Sequence, residues 1–535
     1  MTIVEGGRDD DPAGRPRVSI RSRLRADAIL TRANIDLRQP HRVPLALGAV
    51  GVWGRGIVGA VASSAARYPW AHAVVDPYGA LTYGELWRRA GHLARGLVDE
   101  GVAPGTRVGI LARNSREYVL ALVAVARTGA DLVFLNTEFA APQLADVVAA
   151  EGVDFLLHGD EFEGVVVGCG ARRTFGEAAQ AAMALRQGFL APRRQGRLIV
   201  LTSGTTGRPR GAARSSAAES VEGLAGLLSR IPYRPRDTQV VAAPLFHSWG
   251  LTNLLLGLAR ASTTVLSRHF DPRETLRSVC GHRAHVLVVV PVMLQRILAL
   301  GPSALLASDT TRLRVIAASG SALGPALATE TLNRFGAVLY NVYGSTEVAL
   351  ATIATPAELR SHPGTAGRRV LGASVEILDG QGRPVAAGDT GRIFVGSSMR
   401  FDGYTSGGAK EEQRGLLASG DIGHVEGELL FVEGREDDMI VSGGENVYPQ
   451  EVEELLAEHP GIAEVAVVGV PDPRFGQALC AFVVTKPGTA LDEDAVQLFV
   501  RERLARFKVP RSVRFLEQLP RNATGKVLRR ELRSA

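Results

Sequence analysis

From Leu81 onward, short apolar runs alternate with longer stretches of helical periodicity, and few folds accommodate that alternation. Arg107 to Ala112 reads as a strand, Ser115 to Thr128 as a helix and Asp131 to Leu135 as a strand. Similar runs recur at Val240, Val265, His285 to Val290 and Leu313 to Ala318. Strands and helices in this order form mainly parallel sheets covered by helices, so the fold class expected is α/β. Ser374 to Leu378 and Gly391 to Val395 are short strands set off by turns such as Gly380-Gln381-Gly382, and read as a small barrel-like unit closing the large domain. After Leu429 to Val432 the charged segment Glu433 to Asp438 interrupts. A helix from Pro449 to Glu458, strands at Val465 to Val470 and Cys480 to Val484, and a helix from Ala495 to Leu504 follow.

A chain of 535 residues outgrows a single hydrophobic core. The expected division is a variable basic extension over residues 1–42, a large domain over 43–434 and a small α/β domain over 435–535. Hydrophobic residues make up 46% and charged residues 22%, which argues against a disordered scaffold and a polytopic membrane protein. The formal charge, 61 − 55 = +6, is mild, and no lysine block or stacked-aromatic pattern suggests a nucleic-acid groove. Cys169, Cys280 and Cys480 are far apart and odd in number, giving neither a disulfide framework nor zinc spacing and pointing to a cytoplasmic setting. The apolar stretch Leu45 to Ala66 is interrupted by Arg55 and falls short of a membrane span of about 20 uniformly apolar residues. Val18 to Leu37 reads as a basic amphipathic helix, either packed on the main body or touching an anionic membrane surface.

The chemistry concentrates in Leu201-Thr-Ser-Gly-Thr-Thr-Gly-Arg-Pro-Arg-Gly211, which follows the apolar run Leu198 to Val200. Gly204 and Gly207 let the backbone approach an anion, Thr202, Ser203, Thr205 and Thr206 add hydroxyl donors, and Arg210 adds charge. The loop lacks the terminal Gly-Lys-Ser/Thr of a Walker motif. Between Arg193 and Arg214 lie six arginines and no acidic residue, a field suited to a polyphosphate.

This loop resembles the phosphate-binding signature of the adenylate-forming superfamily, which holds acyl-CoA synthetases, luciferases and peptide-synthetase adenylation domains. Further matches follow in order: Pro244-Leu-Phe-His247, Ser319-Gly-Ser321, Tyr343-Gly-Ser-Thr-Glu347, Ser419-Gly-Asp421, Gly434-Arg435, Ser442 to Pro449 and Asn522-Ala-Thr-Gly-Lys526. The resemblance implies that Gly320, Ser321, Gly344 and Ser345 line the nucleotide, and that Tyr343 stacks on adenine. It gives Thr346 to the α-phosphate, Glu347 to Mg²⁺, Asp421 to the ribose hydroxyls and Arg435 to the ribose or a phosphate. Lys526 becomes the catalytic lysine. Only Lys410, Lys486, Lys508 and Lys526 are lysine among 61 basic residues, so one at that position carries weight. Arg210 stands where the family's phosphate loop carries lysine.

The resemblance also implies a two-step reaction. A carboxylate attacks ATP to give an acyl-AMP and pyrophosphate; the small domain then turns about Asp437, exchanging Lys526 for the Ser442, Gly443 and Gly444 loop that admits the pantetheine of coenzyme A. His247 is expected among the catalytic residues with Lys526, Thr346 and Glu347, in the acyl-site motif, and Trp249, Leu254 and Ala322 are expected to line the acyl pocket. No carboxylate occupies Pro244 to Gly250 to hold an amino group, so a medium- or long-chain fatty acid is the expected substrate. A fatty acyl-AMP ligase loading a carrier protein and a non-enzymatic acyl or nucleotide sensor are the alternatives. Oligomeric state is not legible.

Overall fold

The computed structural model describes residues 39–185, 195–203, 209–214, 221–397, 401–442, 445–472, 476–522 and 525–534. The amphipathic segment expected over Val18 to Leu37 lies outside them.

Two helices begin the described chain, α1 (Val43–Trp53) and α2 (Ile57–Arg67). The large domain is then built on two sheets. In the first, parallel strands run in the order His72–Asp76, Thr263–Val265, Thr238–Val241, Val286–Val289, Val315–Ala318 and Leu339–Ser345. In the second, Arg173–Phe175, Phe155–His158, Arg107–Leu111, Asp131–Phe134 and Leu198–Ser203 are parallel, and Pro209–Arg214 turns back antiparallel. The helix Arg116–Thr128 shows why these layers close: its Val-Leu-Ala-Leu-Val-Ala-Val-Ala run is apolar all round, so it must be covered on every side. Every residue from Tyr118 to Thr128 is buried. Ser115 caps it by accepting from the Tyr118 amide, and Gly129 ends it at φ 81°.

Beyond Leu339–Ser345 the first sheet turns antiparallel, through Ala349–Ala354 and Thr365–Arg369 into Leu429–Arg435, Leu416–Glu426, Gly391–Ser397 and Ala373–Leu378. The closing unit thus shares its hydrogen bonding with the parallel sheet. One boundary shifts: the strand runs through Glu433 to Arg435, pairing Arg435 with Asp421, and the charged break begins at the short turn Glu436–Asp438. Arg435 therefore belongs to the sheet of the large domain.

The smaller C-terminal domain has its own sheet, in which Ile462–Asp472 pairs antiparallel with the long strand Gly476–Thr485. Ile440–Ser442 with Glu445–Val447 and the parallel strand Ser512–Phe515 complete it. Helices Pro449–Ala457 and Glu493–Arg501 bury Val452, Leu456, Val496 and Val500 against it. No helix among the described residues is long and apolar enough to cross a membrane.

Candidate active site

A cavity of about 2200 Å³ opens where the end of the parallel sheet, the closing antiparallel strands and the C-terminal domain meet. The hairpin after Leu339–Ser345 forms one wall. It can turn only because Gly344 has no side chain: a Cβ there would sit 1.9 Å from the Ala349 carbonyl oxygen. Across the turn, Ser345 donates to Glu347 Oε2 (2.9 Å) and accepts from the amides of Glu347 and Val348. Tyr404 donates to the other carboxylate oxygen, Oε1 (3.1 Å), so Glu347 is aimed by two hydroxyls. Tyr343, Gly344, Ser345, Thr346 and Glu347 all line the cavity.

The second wall is the strand pair that places Asp421 opposite Arg435. Tyr343 donates its phenol to Asp421 Oδ2 (2.6 Å), and the Arg435 guanidinium lies 3.6 Å from Oδ1. Burial, then the Asp421 carboxylate, hold the Tyr343 phenol in its protonated, donating form by raising its pKa well above the usual tyrosine range. The Asp421 amide donates to the Ser419 hydroxyl, which donates onward to the Ile393 carbonyl. Lys410 is a participant that no motif marked. Its ammonium donates to the carbonyls of Ala418 (3.1 Å) and Ser419 (2.8 Å), tying down the turn before Asp421, and burial lowers its pKa while Glu347 and Asp421 oppose the shift. The scarcity of lysine was the one signal that could have flagged it.

Thr202 and Arg210 face each other across the start of the phosphate loop, and both line the cavity. Ser203 ends its strand opposite Pro209, while Gly204, Thr205, Thr206 and Gly207 lie outside the described residues. Gly320, Ser321 and Ala322 line the cavity beside the Val315–Ala318 strand.

On the third wall, His247 immediately precedes the helix Ser248–Ala259, its ring centroid 4.4 Å from that of Phe246. Its Nε2 is buried without a hydrogen-bond partner, and burial pushes the pKa down to about 4, so the imidazole is neutral near pH 7. Trp249 donates to the Val289 carbonyl (3.1 Å) and also faces the cavity. Leu254 does not. Two turns into the helix, it is fully buried in the main core and absent from the cavity wall, which corrects its placement in an acyl pocket.

Lys526 enters from the C-terminal domain on a turn in which Asn522 accepts from the Lys526 amide through Oδ1 (2.9 Å) and Gly525 adopts φ 78°. That turn rests on the large domain: a Cβ at Gly525 would lie 2.2 Å from Val292 Cγ1. Gln295 reaches across the same seam to the Ala463 carbonyl (2.9 Å). The lysine side chain stands open to the cavity. Surrounding protein still depresses its pKa, Arg435 adds to the depression, and Asp438 and Asp421 oppose it. Asp437 lies in the Glu436–Asp438 turn at the cavity edge, its carboxylate 3.6 Å from Arg435 Nη2. Ser442 is buried at a strand end away from the cavity, and Gly443 and Gly444 lie outside the described residues.

For a hard cation, the described residues hold no cluster of three acidic, histidine or cysteine side chains. Glu347 alone, aimed into a cavity wide enough for a nucleotide, suits Mg²⁺, which takes one or two carboxylates and completes its shell with phosphate oxygens and water.

Comparison with known proteins agrees with this geometry. Residues 61–405 match the AMP-binding enzyme family and residues 451–526 the AMP-binding enzyme C-terminal domain. The chain is 35% identical over 474 residues to a feruloyl-CoA synthase of an Amycolatopsis species, covering 87% of this chain and 96% of that one. It is 31% identical over 495 residues to a fatty acid–[acyl-carrier-protein] ligase of Streptomyces coeruleorubidus, covering 87% and 93%. Among solved structures, o-succinylbenzoate CoA synthetase from Bacillus subtilis, bound to its acyl-adenylate, superimposes with a TM-score of 0.79 at 26% identity, covering 89% and 98%. Two of these three are named for acids other than fatty acids, so the likeness holds at the level of acyl- and aryl-CoA ligases and not of fatty acyl-CoA ligases in particular. The chain belongs to the AMP-binding enzyme family, and so to the adenylate-forming acid–thiol ligases.

Proposed function

We propose that the protein activates a carboxylic acid with MgATP, forming an acyl-AMP and pyrophosphate, and passes the acyl group to the thiol of coenzyme A with release of AMP. The observation that carries this reading is that Tyr343, Asp421 and Arg435 are bonded into one cluster while Lys526, from the other domain, opens into the same cavity. Asp421 accepts from the ribose hydroxyls, Tyr343 packs against adenine, and Thr202 and Arg210, with the loop from Ser203 to Gly207, hold the outer phosphates. Gly320, Ser321, Gly344 and Ser345 fit the nucleotide closely, and Thr346 bonds the α-phosphate. Mg²⁺ held by Glu347 supplies charge neutralisation on the phosphate oxygens. Lys526 bridges the attacking carboxylate and the α-phosphate, a task suited to a compact ammonium.

His247, Trp249 and Ala322 form the acyl side. Their neutral, apolar character favours an acid without a charged tail, and a medium- or long-chain fatty acid remains our proposal. The relatives named for feruloyl and succinylbenzoate favour an aromatic acid as the second reading. For the thiol step the C-terminal domain beyond Asp437 turns about that residue, withdrawing Lys526 and presenting Ser442, Gly443 and Gly444. Asp437→Pro is expected to slow thioester formation while sparing pyrophosphate release; equal loss of both counts against the hinge. The basic extension over residues 1–42 is our candidate for contact with an anionic membrane.

The acid and acceptor are tested by AMP release over fatty acids of graded length and hydroxycinnamic acids, with and without coenzyme A. Turnover that needs coenzyme A and peaks on a fatty acid supports the reading. A peak on aromatic acids moves the substrate class, and adenylate formation without coenzyme A turnover indicates a carrier-protein loader.

A further inference from the structure

Helix α1 breaks the usual rule for a surface helix. Its sequence, Val-Pro-Leu-Ala-Leu-Gly-Ala-Val-Gly-Val-Trp, contains no polar side chain, yet none of its residues is buried. Leu45, Leu47 and Val52 are 50%, 67% and 59% exposed, and neighbouring Trp70 is 69% exposed. A helix apolar all round belongs inside a core or in contact with something else apolar. Aromatic and cationic contacts pin both ends. At one end the Arg42 guanidinium lies 4.9 Å from the Tyr68 ring centroid and 5.2 Å from that of Trp70. At the other, Trp53 meets Trp87 edge-on at 4.9 Å, with the Arg127 guanidinium over both rings. One stripe of the helix, Val43, Ala46, Ala49, Val50 and Trp53, is half-buried and packs along α2, and the opposite side carries Leu45, Leu47 and Val52 outward.

Charge identifies the occupant. No acidic residue occurs between Asp36 and Asp76, whereas Arg38, Arg42 and Arg55 do, and Arg42 and Arg55 bracket the helix; Arg67 is buried and bonded to backbone carbonyls. Upstream, residues 1–38 carry eight arginines against six acidic residues, but from Arg15 to Arg38 seven arginines face only Asp27 and Asp36. An apolar helix with arginines at both ends and an exposed tryptophan beside it has the character of an element lying in the headgroup layer of an anionic bilayer. Two-fold pairing with a second copy would instead set Arg42 of one chain against Arg55 of the other.

We propose that α1, with Trp70, is an interfacial anchor that docks the enzyme on an anionic lipid surface. This extends the membrane reading of the basic extension without depending on it, because charge alone attracts a protein to a bilayer while α1 supplies the apolar insertion.

The test uses the full chain with vesicles of phosphatidylglycerol and phosphatidylcholine, and of phosphatidylcholine alone. Wild type is expected to float with the anionic vesicles and to blue-shift its tryptophan emission, a shift lost in Trp70→Phe. Leu45→Asp/Leu47→Asp is expected to weaken flotation at least tenfold with acid-dependent pyrophosphate exchange unchanged, and Leu306→Asp, on an exposed leucine elsewhere, to leave flotation intact. Wild type that stays free of anionic vesicles overturns the proposal. So does flotation of the α1 variant equal to wild type, which would leave binding to the basic extension, or an α1 variant that splits an oligomer in light scattering while floating as before. Should the double variant fail to fold, the Trp70-dependent shift of wild type decides alone: its absence overturns the anchor.

Discussion

The Asp421 side of the cavity and the Lys526 side are built on opposite principles. Asp421 is gripped by Tyr343, backed by Arg435 across a strand pair, and approached by a turn that Lys410 holds at two carbonyls. Lys526 has no such frame. It rides on a tight turn of another domain, seated by the fit of Gly525 against Val292 and steadied by Gln295 on Ala463. In the proposed mechanism the nucleotide stays bound through two reactions, which needs the first wall fixed and the second removable, and the difference in bonding suits that.

Substitutions can break this contrast. Lys526→Ala is expected to have the largest effect, lowering acyl-adenylate formation roughly 10²–10³-fold, the scale for removing one group that stabilises transition-state charge. Transfer from added acyl-AMP to coenzyme A is expected to fall far less; rapid-quench measurement of the two half-reactions reads both. Asp421→Ala is next. Losing charged hydrogen bonds to the ribose should raise the KM for ATP about 10–100-fold, in steady-state assays, with the acid KM little changed.

His247 extends the comparison to the acyl wall, which belongs to the rigid domain. Its folded pKa of about 4 lies below the unfolded value near 6.5. Between these limits the unfolded chain binds a proton that the folded chain refuses, so stability is full above pH 6.5 and falls as pH drops toward 4. In urea melts across that window, His247→Phe should remove about 2 kcal/mol of the fall, a figure discounted because the residue as a whole is only half-buried. Tyr343→Phe should be mildest. Losing one hydrogen bond to Asp421 costs about 1 kcal/mol, read as a several-fold rise in the KM for ATP.

How much of this the sequence discloses depends on the range of each interaction. The helix from Ser115 to Thr128 was legible because its cap, its apolar run and Gly129 are neighbours in the chain. Thr202, Tyr343, Asp421 and Lys526 were legible as motif positions, and all four line one cavity. Leu254 was misplaced because adjacent helical turns look alike in sequence while one faces the cavity and the other the core. Lys410 was passed over because its partners are backbone carbonyls, which leave no side-chain signature. Arg435 fell on the wrong side of the boundary because a charged segment can still continue a strand when its partner strand runs alongside. The exposure of α1 was hidden for a similar reason: an apolar run looks the same in sequence whether or not anything covers it.

The most direct test of the central claim is exchange of labelled pyrophosphate into ATP by the purified protein, without coenzyme A, across a panel of fatty and aromatic acids. The account predicts acid-dependent exchange that requires Mg²⁺ and disappears in Lys526→Ala. No exchange with any acid, or exchange that survives loss of Lys526, would contradict it.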